Sequence, residues 1–120
     1  MEFENTLMTE SGADVAALAF RVMDPQSHKM MAIRADMTPQ MARIAASRLR
    51  EEPLPLRLTY AGKVLRVVSD HFHAERELMQ SGIELIGEAA PQADLEVLSI
   101  AVKALHHLGI DDLSIDLTMP

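Results

Sequence analysis

The sequence contains no cysteine and no tryptophan, and it has only one tyrosine and three phenylalanines. Without cysteine, neither a disulfide framework nor a thiolate metal site can form. With so few aromatic side chains, a core must be filled by aliphatic residues and nine methionines. Hydrophobic residues make up 48% of the 120-residue chain, which excludes intrinsic disorder and predicts one modest globular domain.

Basic residues are also scarce: eleven Lys and Arg stand against eighteen Asp and Glu, for a formal net charge of −7. Because nucleic-acid binding depends on cations that neutralise phosphates, such a partner is disfavoured. No apolar run approaches the roughly 20 residues of a membrane-spanning helix. The opening MEFENTLMTE has neither the basic nor the apolar region of a secretory signal. We therefore expect a cytoplasmic protein with no membrane partner.

Turn and periodicity signals predict an α+β fold with a mainly antiparallel sheet flanked by helices. The segment DPQS, residues 24–27, separates two apolar runs and predicts a β-hairpin. Thr38 and Pro39 are typical of a helix start, with Thr38 as the cap. Long strands are predicted over 55–68 and 78–87, a helix from Pro91, and a short strand over 113–119.

Both predicted helices are amphipathic. In the first, apolar residues from Met41 to Leu49 share one face, and Gln40 falls on the opposite face, which we expect to be solvated. In the second, one apolar stripe is expected to pack on the sheet; it consists of Val97, Leu98, Ala101, Leu105 and Leu108. Gly62 is predicted to weaken or bulge the first long strand.

Polar side chains interrupt the second long strand. Gln80 and Glu84 alternate onto one face with Gly82 between them, which leaves a gap. If Arg66 pairs near Leu78, Arg66, Gln80 and Glu84 line one surface that suits an amino acid or a nucleotide. A solvated sheet face with a structural contact between Arg66 and Glu84 explains the pattern equally well.

Arg34 and Asp36 lie at the predicted turn into the first helix. The free backbone N–H groups of a helix start favour an anion, and Asp36 can supply one. For a single Asp the commoner explanation is a local bond to its own backbone. Proximity to the polar strand face would favour a shared pocket instead.

Histidines occur in two pairs, His71 with His73 and His106 with His107, but no Asp, Glu or Cys lies at a recognised metal-ligand spacing. The second pair is explained by the negative end of a helix. There is no glycine-rich phosphate loop and no nucleophile elbow. We expect no metal, no cofactor and no catalytic residue.

Ordered blocks of the chain resemble the class II histidyl-tRNA synthetase-like family, most closely its regulatory subunits of ATP phosphoribosyltransferase. The segment FRVMDPQSHKMMAIRADMTPQMARIAASRL is similar to the strand, turn, strand and helix of those subunits. LRLTYAGKVLR and RELMQSGIELIG are similar to the two strands of motif 2. The resemblance implies a partial class II core over residues 1–120, with motif 1 mostly absent and motif 3 absent.

The resemblance also implies roles for individual residues. In synthetases of this type, residues matching Asp36, Thr38 and Gln80 bind the amino group of histidine. The residue matching Glu84 faces the histidine side chain, and the one matching Arg66 holds carboxylate and phosphate oxygens. The implied effector is L-histidine, bound without a cofactor.

Departures from the synthetase pattern favour the regulatory family. Synthetases carry an acidic residue two places after the motif 2 arginine, whereas Val67 and Val68 follow Arg66 here.

The implied protein is a non-catalytic regulatory subunit in a hetero-oligomer with the short-form ATP phosphoribosyltransferase catalytic subunit, and it conveys histidine feedback. A fragment of a histidyl-tRNA synthetase and an interaction module with a vestigial pocket remain alternatives. We also expect the 120-residue chain to self-associate.

Overall fold

The computed structural model describes residues 1–7, 17–67 and 75–118. In chain order the elements are β1 (Glu2–Phe3), α1 (Glu4–Leu7), β2 (Phe20–Met23), β3 (Met30–Ile33), α2 (Thr38–Ser47), β4 (Leu56–Leu65), β5 (Glu77–Ile86) and α3 (Pro91–His107). One sheet has the order β1-β3-β2 and the other pairs β4 with β5, all antiparallel. The predicted α+β fold is confirmed. His71 and His73, which were considered as metal ligands, lie outside the described residues.

The turn between β2 and β3 is closed by Asp24. Its carboxylate accepts the backbone N–H groups of Gln26 and Ser27 and the Ser27 hydroxyl. These hydrogen bonds, led by the Ser27 hydroxyl, lower the pKa of Asp24 below its ordinary value. The predicted hairpin is therefore confirmed, with an Asx-type turn as its cause.

The two sheets are joined where β3 passes into the α2 turn. Ala19 forms an antiparallel bridge with Arg66, and the Leu65 N–H donates to the Arg34 carbonyl at 3.0 Å. Ala19, Ala32 and Ala35 form a buried cluster at this junction. Because their side chains are small, the backbones can approach closely, and the end of β3 is fixed against β4.

The β4–β5 hairpin has a different register from the one assumed. Gly62 lies opposite Gln80, Tyr60 opposite Gly82, and Leu58 opposite Glu84. The assumed register was wrong by two residues. A short hairpin turn fixes the register of its strands, but the sequence between these two strands is too long to be such a turn, so it gave no signal for the pairing. A two-residue shift preserves the faces, so the predicted alternation still holds. The pairing runs through Gly62 without the predicted bulge.

Gln40 was placed wrongly on the solvated face of α2, because the residue is buried, with 7% of its surface exposed. Its Nε2 donates to Glu2 Oε1 at 2.6 Å, and Arg34 Nη1 donates to Gln40 Oε1 at 3.4 Å. Arg43 Nη2 adds a bond of 2.9 Å to Glu2 Oε2. The helix pattern could not show that β1 covers this face. Gln40 thus ties β1 to the residues that lead into α2.

Helix α3 packs on the hairpin chiefly through its first half. Ala93 is buried and Val97 is half-buried, but Leu105 and Leu108 are 37% and 76% exposed, so the predicted stripe packs only in part. Arg57 on β4 holds Glu96 through two bonds, Nε to Oε1 at 2.5 Å and Nη2 to Oε2 at 2.8 Å. The hydrogen bond with Arg57 lowers the pKa of Glu96, and the pair raises the pKa of Arg57.

The predicted final strand is wrong for its described part, residues 113–118, which form no strand. A strand requires a neighbour for its backbone N–H and C=O groups, and none of the described strands pairs with this segment. Its side chains remain largely exposed, including Ile115 at 49% and Leu117 at 74%. The Cα radius of gyration is 16.6 Å, above the value of about 14 Å expected for a compact domain of this length.

Replacing Gln40 by Met tests the bond between β1 and α2. The change keeps the side-chain length but removes both amide contacts, so we expect a loss of about 1–3 kcal/mol in unfolding free energy. Gln92→Met, at an exposed position on α3, is the matched control and should change stability little. Urea denaturation measures both variants, and equal stability for the two would show that the buried amide contributes nothing.

Candidate functional site

The polar side chains predicted from sequence lie where the turn into α2 meets the middle of β5. Gln80 Nε2 donates to Asp36 Oδ2 at 3.2 Å, and the Met37 N–H donates to Gln80 Oε1 at 3.0 Å. Gln80 thus uses both ends of its amide to hold the turn. Met37 is 6% exposed, so its N–H needs this acceptor.

Asp36 and Thr38 lie together at the start of α2. The helix begins at Thr38, and the residue before it makes no side-chain cap bond. Asp36 Oδ1 instead accepts the Thr38 N–H at 2.7 Å. The local explanation for Asp36 is therefore present together with its contact to Gln80. The predicted cap role of Thr38 is wrong, because the helix begins at Thr38 itself. Asp36 accepts the backbone N–H of Thr38, and the Thr38 hydroxyl bonds to another element.

The Thr38 hydroxyl connects α2 to Glu84. Thr38 Oγ1 donates to Glu84 Oε1 at 2.9 Å, so a carboxylate on β5 is fixed by the first residue of the helix. Glu84 is half-buried. Gln80, Asp36, Thr38 and Glu84 consequently form one continuous hydrogen-bonded series, and four of the five predicted site residues lie together.

Arg66, the fifth predicted residue, lies beside this series. It lies on the same face of the hairpin as Gln80 and Glu84, because the observed pairing keeps the alternation. Its Nε donates to the Ala35 carbonyl at 3.4 Å, next to Asp36 in the chain. Arg66 therefore contacts the backbone of the turn that leads into α2.

Tyr60 is a site residue that the sequence reasoning missed. Its hydroxyl lies 3.3 Å from Thr38 Oγ1, and its ring occupies the space where Gly82 lacks a side chain, since a Cβ there would meet the Tyr60 Oη and Cζ atoms. The signal in the sequence was the glycine between two polar residues of one strand face. In the assumed register, however, Tyr60 lay opposite Glu84 and not opposite Gly82, so the contact of its ring with Gly82 could not be predicted.

Gly62 performs a similar role for the turn itself. A Cβ at this position would lie 2.9 Å from Arg34 Nη2 and 3.2 Å from Met37 Sδ. Arg34 Nε donates to the Lys63 carbonyl at 2.9 Å, so the guanidinium lies directly across β4. The missing side chain lets the residues flanking Asp36 pack close to the strand.

A largely apolar groove of about 610 Å³ extends from Thr38 and Glu84 between α2 and the hairpin. Its remaining lining residues are Ala42, Ala45, Ala46, Leu49, Arg50, Glu52, Leu54, Leu56 and Ile86. Asp36, Gln80 and Arg66 do not line this groove. The groove meets the hydrogen-bonded series at its Glu84 end.

The series is rich in hydrogen-bond acceptors, which suit a ligand that carries N–H groups. Two carboxylates, one amide oxygen and one hydroxyl oxygen lie within one connected set, and each carboxylate has about four lone-pair positions, more than its named bonds use. An ammonium group beside Asp36 and Gln80 and a ring N–H beside Glu84 would both be complemented. Among the described residues, no group of three or more His, Asp or Glu side chains could hold a metal ion, and no helix is long and apolar enough to cross a membrane.

Comparison with known proteins agrees with this fold. The family model described as histidyl-tRNA synthetase matches residues 1–120. The ATP phosphoribosyltransferase regulatory subunit of Paramagnetospirillum magneticum is 52% identical over the whole chain, which spans 32% of that relative.

Two crystal structures are similar. One is described as an ATP phosphoribosyltransferase regulatory subunit/histidyl-tRNA synthetase from Bacillus halodurans; it has a TM-score of 0.79 and 32% identity, over 92% of this chain and 28% of that one. The other, a histidine–tRNA ligase subunit from Alicyclobacillus acidocaldarius, has a TM-score of 0.69 and 31% identity, over 90% and 30%. The chain therefore belongs to the histidyl-tRNA synthetase family, and over its whole length it is similar in sequence to regulatory subunits of ATP phosphoribosyltransferase.

Proposed function

We propose that the chain forms part of the class II-like core of a non-catalytic regulatory subunit of ATP phosphoribosyltransferase, which acts at the first step of L-histidine biosynthesis. Its partner is the short-form catalytic subunit, in a cytoplasmic hetero-oligomer. The names and identities of the relatives support this assignment. The valines after Arg66 support it against adenylation, because neither can replace the acidic residue found there in synthetases.

L-Histidine is the proposed effector of this subunit. The observation that carries the proposal is the hydrogen-bonded series from Gln80 through Asp36 and Thr38 to Glu84. The acceptors at one end of this series would suit an ammonium group, and the carboxylate at the other end would suit an imidazole N–H. Arg66, beside the turn, is a cation available to a ligand carboxylate.

Feedback control requires histidine to bind the assembled states unequally, because an effector with equal affinity for two states shifts neither. The α2 start is a suitable element for such a difference. It is held to β5 by side-chain hydrogen bonds through Gln80 and Glu84, and a ligand that competes for these acceptors changes how tightly the helix is held. Histidine binding and catalytic-subunit activation would then be linked reciprocally.

Replacing Glu84 by Ala tests the effector site in the complete gene product. Losing a charged hydrogen-bond partner should weaken histidine binding by about 1–3 kcal/mol. Assembly with the catalytic subunit should be retained, since the side chain contacts α2 within the chain. Calorimetric titration measures the binding, and Glu51→Ala, at an exposed carboxylate, is the matched control that should bind as the unmodified protein does.

Three outcomes would contradict parts of this proposal. Undiminished binding in Glu84→Ala would remove Glu84 from the site. Absence of binding heat in the unmodified protein would favour an interaction module with a vestigial pocket. ATP-dependent pyrophosphate exchange by the complete gene product would favour a histidyl-tRNA synthetase, although the valines after Arg66 predict none.

Self-association of the 120-residue chain is proposed from its exposed apolar side chains. Met79, Leu95, Leu108 and Leu117 are each more than 60% exposed, and surface of this kind favours association. Static light scattering should therefore give an average mass that rises with concentration above the 13.3 kDa of one chain. A constant mass of one chain across the series would contradict the proposal.

A further inference from the structure

We propose that Tyr60 is a positioning residue that acts on Glu84 through Thr38, and so decides which atoms the site presents to its ligand. The ligand part of this inference rests on the proposed function. Its structural part stands on three contacts: Tyr60 against Gly82, Tyr60 with Thr38, and Thr38 with Glu84. Each of these joins a different pair of positions on β4, β5 and α2.

Gly82 sets the position of the Tyr60 ring. The two residues are directly opposite in the β4–β5 ladder, and a Cβ at position 82 would overlap Tyr60 Oη and Cζ and lie 3.0 Å from Cε1. The ring therefore crosses the strand over a position that has no side chain. This crossing lets the hydroxyl reach Thr38 on α2.

The direction of the hydrogen bonds follows from the number of available protons. Thr38 donates the single proton of its hydroxyl group to Glu84 Oε1 at 2.9 Å, so that proton is used in this bond. In the contact between the Tyr60 hydroxyl and Thr38 Oγ1, the proton must then come from Tyr60. The series runs from Tyr60 to Thr38 to Glu84 with every donor in a fixed direction.

This direction determines what the ligand meets. With its proton used, Thr38 Oγ1 presents only its remaining lone pair, and Glu84 presents carboxylate oxygens. The site therefore offers acceptors alone along this wall, which selects ligand groups that carry N–H. Without the Tyr60 hydroxyl, Thr38 Oγ1 loses the donor that fixes its orientation, and the acceptor wall is less well ordered.

A double-mutant cycle in the complete gene product tests this coupling. Tyr60→Phe keeps the ring on Gly82 but removes the hydroxyl, and it should weaken L-histidine binding about threefold to tenfold, the range for one hydrogen bond. Thr38→Val should also weaken binding. Because Tyr60 acts through Thr38, adding Tyr60→Phe to Thr38→Val should change affinity by less than about twofold.

Thr38→Ser, which keeps the hydroxyl, is the conservative control. It should restore sensitivity to Tyr60→Phe, a result that loss of packing alone would not produce. Effects of Tyr60→Phe and Thr38→Val that multiply in the double variant would overturn the coupling. Undiminished affinity in Tyr60→Phe would do the same.

A measurement without ligand separates this inference from the proposed function. In methyl-labelled, ligand-free protein, Tyr60→Phe should shift the Thr38 methyl resonance and leave that of Thr6, an exposed residue of α1, unchanged. If the unmodified protein binds no histidine, the proposed function fails, but the shift still tests the positioning role. An unchanged Thr38 resonance would overturn the role whatever the ligand.

Discussion

The arrangement of the site depends on one side chain, the Gln80 amide in the middle of β5. Its carbonyl accepts the Met37 N–H and its amino group donates to Asp36, so both ends of the amide hold the turn before α2. Met37 is buried, and an unpaired N–H there would cost about 1–3 kcal/mol. The polar side chain at this position of β5 is therefore required structurally at the point where a ligand site is proposed.

Two glycines make the close approach to this point feasible. Gly62 lies opposite Gln80, and its missing side chain admits Arg34 and Met37 from the turn. Gly82 admits the ring of Tyr60 in the same way. The space beside each glycine is filled by a side chain from another strand or from the turn, so the face of the hairpin is closely packed.

Much of this arrangement could be predicted from the sequence because it depends on local pattern. The alternation of Gln80, Gly82 and Glu84 defines one face, and Thr38 with Pro39 marks the helix start. The rest depends on which distant elements meet. The register of the long hairpin, the burial of Gln40 against Glu2 and the role of Tyr60 each require contacts between residues that are twelve or more positions apart in the chain. Similarly, the alternating residues 113–118 lack a described strand partner, which a period-2 pattern alone cannot supply.

We propose that Asp36, Thr38, Gln80 and Glu84 bind one ligand as well as one another. A crystal structure of the complete gene product with L-histidine would test this proposal. We expect the ligand amino group within about 3.2 Å of Asp36 and Gln80 oxygens, and an imidazole nitrogen at the same range from Glu84. Histidine bound elsewhere, with the series from Gln80 to Glu84 unchanged and facing solvent, would show that these side chains only hold the fold.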